Sequence, residues 1–312
     1  MQNRQIQSTR FADNPATGLL AFLALLLSTP VIADEHRLDP NKPEDAIKIA
    51  QKFTCSLVEG VQTQGWWQGS FYARIEGERD RELFKVIGVN VRQCKNYNDP
   101  ERGPGFRSVS REIMLYLDPE TREVLDTWDN PYTGETVKVV HVYNDPVNMR
   151  APFYAYGEDG KPYTFKGTVM NGRVFTPSAY PLFHKNPLGG DYQEYVGSTY
   201  HAIEFFNDYA YEEDVFDPEV TQLDRMTLAW TRVADWLPWM KMGDKIGVMY
   251  TSTVGGRIKS IDDLPEPLLT ELKTNYPLYM TPPPLDDARP NRTSWMAVKE
   301  VVDAQRAAGE SP

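Results

Sequence analysis

His141, Asn144, Asp145 and Asn148 cluster inside Asp129–Asn148, DNPYTGETVKVVHVYNDPVN. An imidazole titrates near neutrality, so a histidine with a carboxylate a few residues on has the ingredients of general acid–base chemistry. In VKVVHVY, alternation puts His141 with Val137, Val139 and Tyr143 on one strand face. Two readings compete. A histidine on an apolar face is ordinarily a core residue satisfied by a carbonyl; alternatively His141 moves a proton and Asp145 orients it. Asn144, Asp145 and Asn148 also suit turns, because such side chains bond their own backbone.

A second cluster is Trp230–Gly243, WTRVADWLPWMKMG. Trp230 and Arg232 leave a strand on the same side, and Trp236 and Trp239 follow in a loop. With Trp128 and Tyr132 they would form an aromatic wall, and Arg232 would stabilise negative charge on a ligand carboxylate or carbonyl. The competing reading is a tryptophan-rich lid packed for stability. In SVSRE, Arg111 and Glu112 read as an ordinary surface pair.

No GxSxG, P-loop, GxGxxG or HExxH occurs. Two cysteines and four scattered histidines do not make a zinc site. No cofactor is expected. Cys55 and Cys94 either pair, closing a loop worth about 3–4 kcal/mol, or remain two buried thiols.

The elements that must position these groups are mostly short strands. Pro43 opens a helix with Glu44 and Asp45 in its first turn, where the dipole favours negative charge; it packs on a sheet or plugs a barrel end. From Gly65 the period becomes two. Strands are predicted over 65–75, 83–91, 106–117, 123–128 and 136–143, with turns at Asp118–Thr121 and Asn130–Gly134 and a loop over 96–105. Asn171-Gly172 joins strands 163–170 and 173–176 as a hairpin. Residues 178–192 read as irregular, 199–211 as an aromatic strand and 212–220 as an acidic loop. Further strands cover 226–233 and 246–254, the last turned by Gly255-Gly256. Helices are predicted over 266–275 and 295–307, outside the sheet.

With 312 residues, 24 prolines, 21 glycines and a net charge of −11, the chain suits one large β domain. Its acidity argues against nucleic-acid binding and against docking on anionic lipid. Residues 1–33 read as a signal peptide. Arg4 and Arg10 precede GLLAFLALLL, too short to span a bilayer, and cleavage near Ala33 fits. This implies a periplasmic or secreted protein with no membrane insertion after cleavage. One domain is expected over 34–290, then a helical tail over 291–312.

Three segments carry a resemblance: LYLDPETREVLDTWDNPYTGETVKVVHVYNDPVN, WTRVADWLPWMKMGDKIGVMYTS and DDLPEPLLTELKTNYPLYMTPPP. They resemble the DUF1838 family, over about residues 43–284. The resemblance implies an exported bacterial protein and brings no settled activity. His141, Asn144, Asp145, Trp230, Arg232 and Trp239 lie inside the hallmark segments; the cysteine pair is not a family feature.

The expected fold is a mainly antiparallel, lipocalin-like β-barrel or strongly curved sheet with short terminal helices. The expected partner is one small hydrophobic molecule, aromatic or terpenoid-like. Two functions fit: a cofactor-free isomerase, lyase or dehydratase using His141, Asp145 and Arg232, or a non-catalytic carrier or envelope protein.

Overall fold

The computed structural model describes residues 37–309, apart from 187, 196 and 198. The expected signal peptide lies outside the described residues.

After helix α1 (Pro43–Thr54) come β1 (Thr63–Arg74), β2 (Arg81–Asp99) and β3 (Gly103–Leu117), an antiparallel meander. Short pieces follow: β4 (Thr127–Asp129), β5 (Thr136–Lys138), β6 (Val142–Asn144), β7 (Phe153–Tyr154) and β8 (Thr168–Met170). A second meander comprises β9 (Arg173–Lys185), β10 (Thr199–Tyr211), β11 (Thr227–Ala234) and β12 (Val248–Ile258), with helix α2 (Glu212–Phe216) after β10. Pairing of β1 with β12 fuses the two meanders into one ten-stranded sheet, ordered β6-β3-β2-β1-β12-β11-β10-β9-β8, with β7 also on β3. β4 and β5 form a separate two-stranded sheet.

The sheet is mainly antiparallel but does not close into a barrel, since β6 and β8 do not pair. It is nonetheless strongly curled. Glu204 on β10 feels the charge of Glu112 on β3, although β2, β1, β12 and β11 lie between them in the sheet. The concave face is therefore a trough.

Several expectations are corrected. The loop expected over 96–105 is the end of a long β2–β3 hairpin, paired as far as Asp99 and Gly103. The strand expected over 136–143 breaks around His141, so β5 and β6 join different sheets. Gly255 and Gly256 do not turn the chain; they lie within β12 opposite Trp67 and Trp66. A Cβ on Gly255 would sit 1.8 Å from the Trp66 carbonyl oxygen, so the strand crossing itself demands glycine here. Residues 178–185, expected to be irregular, continue β9 along β10.

One C-terminal helix lies outside the sheet as expected and the other does not. Helix α3 (Leu268–Thr274) packs on the convex face, Leu268 and Leu272 meeting Ile87, Val89, Ile113 and Leu115. The convex face of the β2–β3 region, apolar at these positions, is thus covered. Helix α1 takes one of its two expected places, at an end of the sheet, whereas α4 (Ser294–Ala307) is not outside. The last carbonyls of α1, Phe53 and Thr54, accept hydrogen bonds from Arg257 at 2.9 and 2.6 Å. Arg257 shares its face with Arg92 and the trough floor. Cys55, which ends α1, forms a disulfide with Cys94 on β2, Cα to Cα 6.1 Å. Helix α4 buries Trp295, Ala297, Val298 and Val302 in the cluster containing Phe84, Tyr116 and Tyr200.

Candidate functional site

Strand register sorts the side chains into two faces. Pairings Asn90↔Glu112↔Asn144 on one flank and Arg232↔Glu204 on the other place all five on the concave side. Trp67, Trp230, Phe206 and Asp208 share that side through the intervening pairs. One end of the trough is filled by apolar side chains, and the other is plugged by α1. Between them Trp67, Glu112, Asn144, Glu204, Phe206, Asp208 and Arg232 are half-buried. That middle zone is where a small molecule can reach charged groups.

The two carboxylates are held differently. Glu112 accepts from Asn144 Nδ2 at 2.6 Å, and Asn90 Nδ2 lies 3.5 Å from its other oxygen. Glu204 forms an ion pair with Arg232 at 3.2 Å. Burial, reinforced by the like charge of Glu112, pushes the Glu204 carboxyl up to about 7. Asp208 is raised to about 6, again by burial, with Arg257 and Arg92 opposing. Two interacting carboxyls with unequal environments are the arrangement that divides acid and base roles.

An aromatic wall crosses the same zone. Trp67 meets Trp230 edge-on at 6.2 Å, Trp230 stacks on Phe206 at 6.3 Å, and Phe206 meets Tyr180 at 5.8 Å. Trp230 Nε1, Arg232 Nε and Asn144 Oδ1 are buried without a hydrogen-bond partner among the described residues. Unpaired buried polar groups are uncommon because each costs about 1–3 kcal/mol. Three of them around one trough mark a place for exogenous hydrogen-bonding atoms.

Of the residues singled out by sequence, Asn144, Trp230 and Arg232 meet here. His141 does not. Its Nδ1 accepts the Tyr116 backbone N–H at 3.0 Å, and its ring lies between those of Tyr116 (5.9 Å) and Tyr143 (5.8 Å). Burial lowers its pKa to about 4, leaving a neutral imidazole that serves β3's free edge. Asp145 does not orient it. That carboxylate pairs with Arg111 at 2.6 Å and Arg289 at 3.0 Å, while Arg111 also donates to the Leu278 and Thr281 carbonyls. The expected Arg111–Glu112 pair is likewise absent, because neighbours on a strand point to opposite faces.

Trp128 and Trp239 pack with Phe84 at the apolar end. Trp236 donates to the Lys245 carbonyl at 2.9 Å, and the Lys245 ammonium lies 5.5 Å from the Tyr132 ring centroid. Glu204, Trp67 and Phe206 escaped the sequence reading, and Glu112 entered it only as the partner of Arg111. Alternation in HAIEFFND and SREIMLY was the signal available: it places Glu204 beside Ala202 and Phe206, and Glu112 beside Met114 and Tyr116. Among the described residues no group of three or more His, Cys, Asp or Glu is arranged to hold a metal.

A family model described as "Protein of unknown function (DUF1838)" matches residues 60–302, beginning and ending later than the resembling segments suggested. No curated protein matches. Two solved structures align weakly. They are Ail, the attachment invasion locus protein of Yersinia pestis, at 7% identity, and the same protein with the heparin analogue sucrose octasulfate, at 8%. Each alignment covers 64% of this chain and 99% of Ail, with a TM-score of 0.17, too low to carry an argument.

Proposed function

The chain belongs to the DUF1838 family, which prescribes no reaction, and from the trough we propose that it binds one ring-bearing small molecule and performs cofactor-free acid–base chemistry on it. The observation that carries this reading is the convergence of Glu112, Glu204 and Arg232 beside an aromatic wall with unpartnered hydrogen-bonding atoms. Its raised pKa, about 7, keeps a proton on Glu204 to higher pH than an ordinary carboxyl, so Glu204 is suited to donate one. Two amide donors support negative charge on Glu112, the complementary acceptor. The proton carrier expected at His141 is thereby replaced by Glu204, and Arg232 keeps its expected role toward negative charge. The container works in the manner of a lipocalin, holding its ligand on a concave interior.

A second reading, a carrier without turnover, is supported by the Trp67–Trp230–Phe206–Tyr180 wall taken alone. Export to an oxidising compartment is supported by the leader-like first 33 residues and by the Cys55–Cys94 disulfide.

Native mass spectrometry of protein purified from its own host tests both. The expected result is one bound small molecule, lost from Trp230→Ala and retained but no longer converted by Glu204→Gln. Turnover unchanged in Glu204→Gln leaves the carrier. Protein that carries nothing, with tryptophan fluorescence unquenched by cyclic ketones, phenols or aromatic acids, removes both readings.

A further inference from the structure

Trp230 and Arg232 stand two residues apart on β11, so their Cα atoms are about 7 Å apart and both side chains leave the same face. The Trp230 side chain is buried, at 8% exposure, yet its indole N–H has no partner. Arg232 uses Nη1 on Glu204, and its Nε–H is buried and unpartnered too. Two such donors on one strand face suit a single oxygen acceptor, and the cationic guanidinium favours one that gains negative charge. The Trp67 and Phe206 rings flank Trp230, so the group bearing that oxygen is flat.

We infer that Trp230 Nε1 and Arg232 Nε together bind the oxygen of a cyclic carbonyl substrate, and that the reaction is enolisation followed by reprotonation on carbon, which shifts a ring double bond or inverts the carbon next to the carbonyl. This rests on the acid–base reading of the trough. In the first step Glu112 takes a proton from the carbon next to the carbonyl. The C–H electron pair becomes a C=C bond, and the carbonyl π pair moves onto the oxygen held by the two donors. In the second step Glu204 delivers its proton to a ring carbon, and the pair on oxygen reforms the carbonyl. One proton leaves the substrate and one returns, so no oxidant or co-reactant is needed. Proton exchange with solvent resets Glu112 and Glu204.

The reaction class also sets the binding preference. A phenolate resembles the enolate in shape and charge, so the site should prefer phenolates to the neutral ring ketone. The test uses two probes on the folded, disulfide-bonded protein: a series of substituted phenols read by ultraviolet difference spectra, and a bicyclic ketone, 2-tetralone, read by proton NMR in deuterium oxide. The expected result is binding of the ionised phenol, weakened about tenfold or more by Trp230→Phe and by Arg232→Lys, each checked for an unchanged circular dichroism spectrum. Glu112→Gln should abolish protein-dependent deuterium uptake next to the ketone. Phenol binding that ignores the Trp230 and Arg232 variants but is lost in Trp67→Ala overturns this inference and leaves the ring-binding trough intact. Binding of neither probe overturns the acid–base reading together with it.

Discussion

The Tyr116 N–H lies on the edge of β3 beyond the last residue paired with β6, and the His141 imidazole is what satisfies it. His141→Ala is therefore expected to cost about 1–3 kcal/mol, the penalty for stranding a buried donor, and to lower the thermal midpoint without weakening phenol or ketone binding. Loss of ligand binding with unchanged stability would return His141 to the site. Its role was hidden because VKVVHVY alternates like an unbroken strand, whereas the chain leaves one sheet at Lys138 and joins another at Val142. Arg232 and Trp230 were legible for the opposite reason, since their strand is regular and alternation alone puts them together. Glu112 was obscured by its neighbour. Arg111 suggests a local ion pair, but a strand sends the two side chains to opposite faces, one to Asp145 and one to Asn144.

Among elements, the β1–β12 junction is the one on which the ten-stranded sheet depends. Gly69 and Gly255 approach the partner backbone so closely that a Cβ would lie 2.1 Å from the Ser252 oxygen or 1.8 Å from the Trp66 oxygen. Gly255→Ala is expected to destabilise by at least about 2 kcal/mol, measurable as an earlier denaturant midpoint, because backbone rather than a flexible side chain must give way. The Gly-Gly pair was misread as a turn since glycine serves both purposes, and pattern alone does not separate them. The long strand of 199–211 and the helices over 268–274 and 294–307 were readable from periodicity. The placing of α4 inside was not, because a helix's apolar face does not say which side of a sheet it meets. Export remains a proposal at this scale, resting on a leader pattern and one disulfide.

For the whole molecule, buried titratable groups set a pH window. Glu204 binds its proton more tightly folded than unfolded. Its contribution to stability is full below about pH 4.5 and is lost as pH rises toward 7. Asp208 acts in the same sense between about 3.8 and 6. His141 opposes them. Its folded pKa is depressed, so its contribution is present above about 6.5 and lost as pH falls toward 4. Chemical denaturation across pH 4–8 is expected to show Glu204→Gln flattening the fall on the alkaline side, while His141→Gln flattens the fall on the acid side. Identical slopes in wild type and Glu204→Gln would mean that this carboxyl titrates normally.

Helix α4 has a consequence for how the trough could widen. It is tied to the β6 flank by the Arg292 N–H to the Pro146 carbonyl and by Asn291 with Asn148, and to the β9–β10 flank by Tyr192 with Asp303 and Trp295 with Tyr200. The two margins share no ladder hydrogen bonds. Prising them apart would therefore shed a handful of clasps while every strand pairing stayed whole, a hinge-like loosening that a sealed cylinder of staves would forbid.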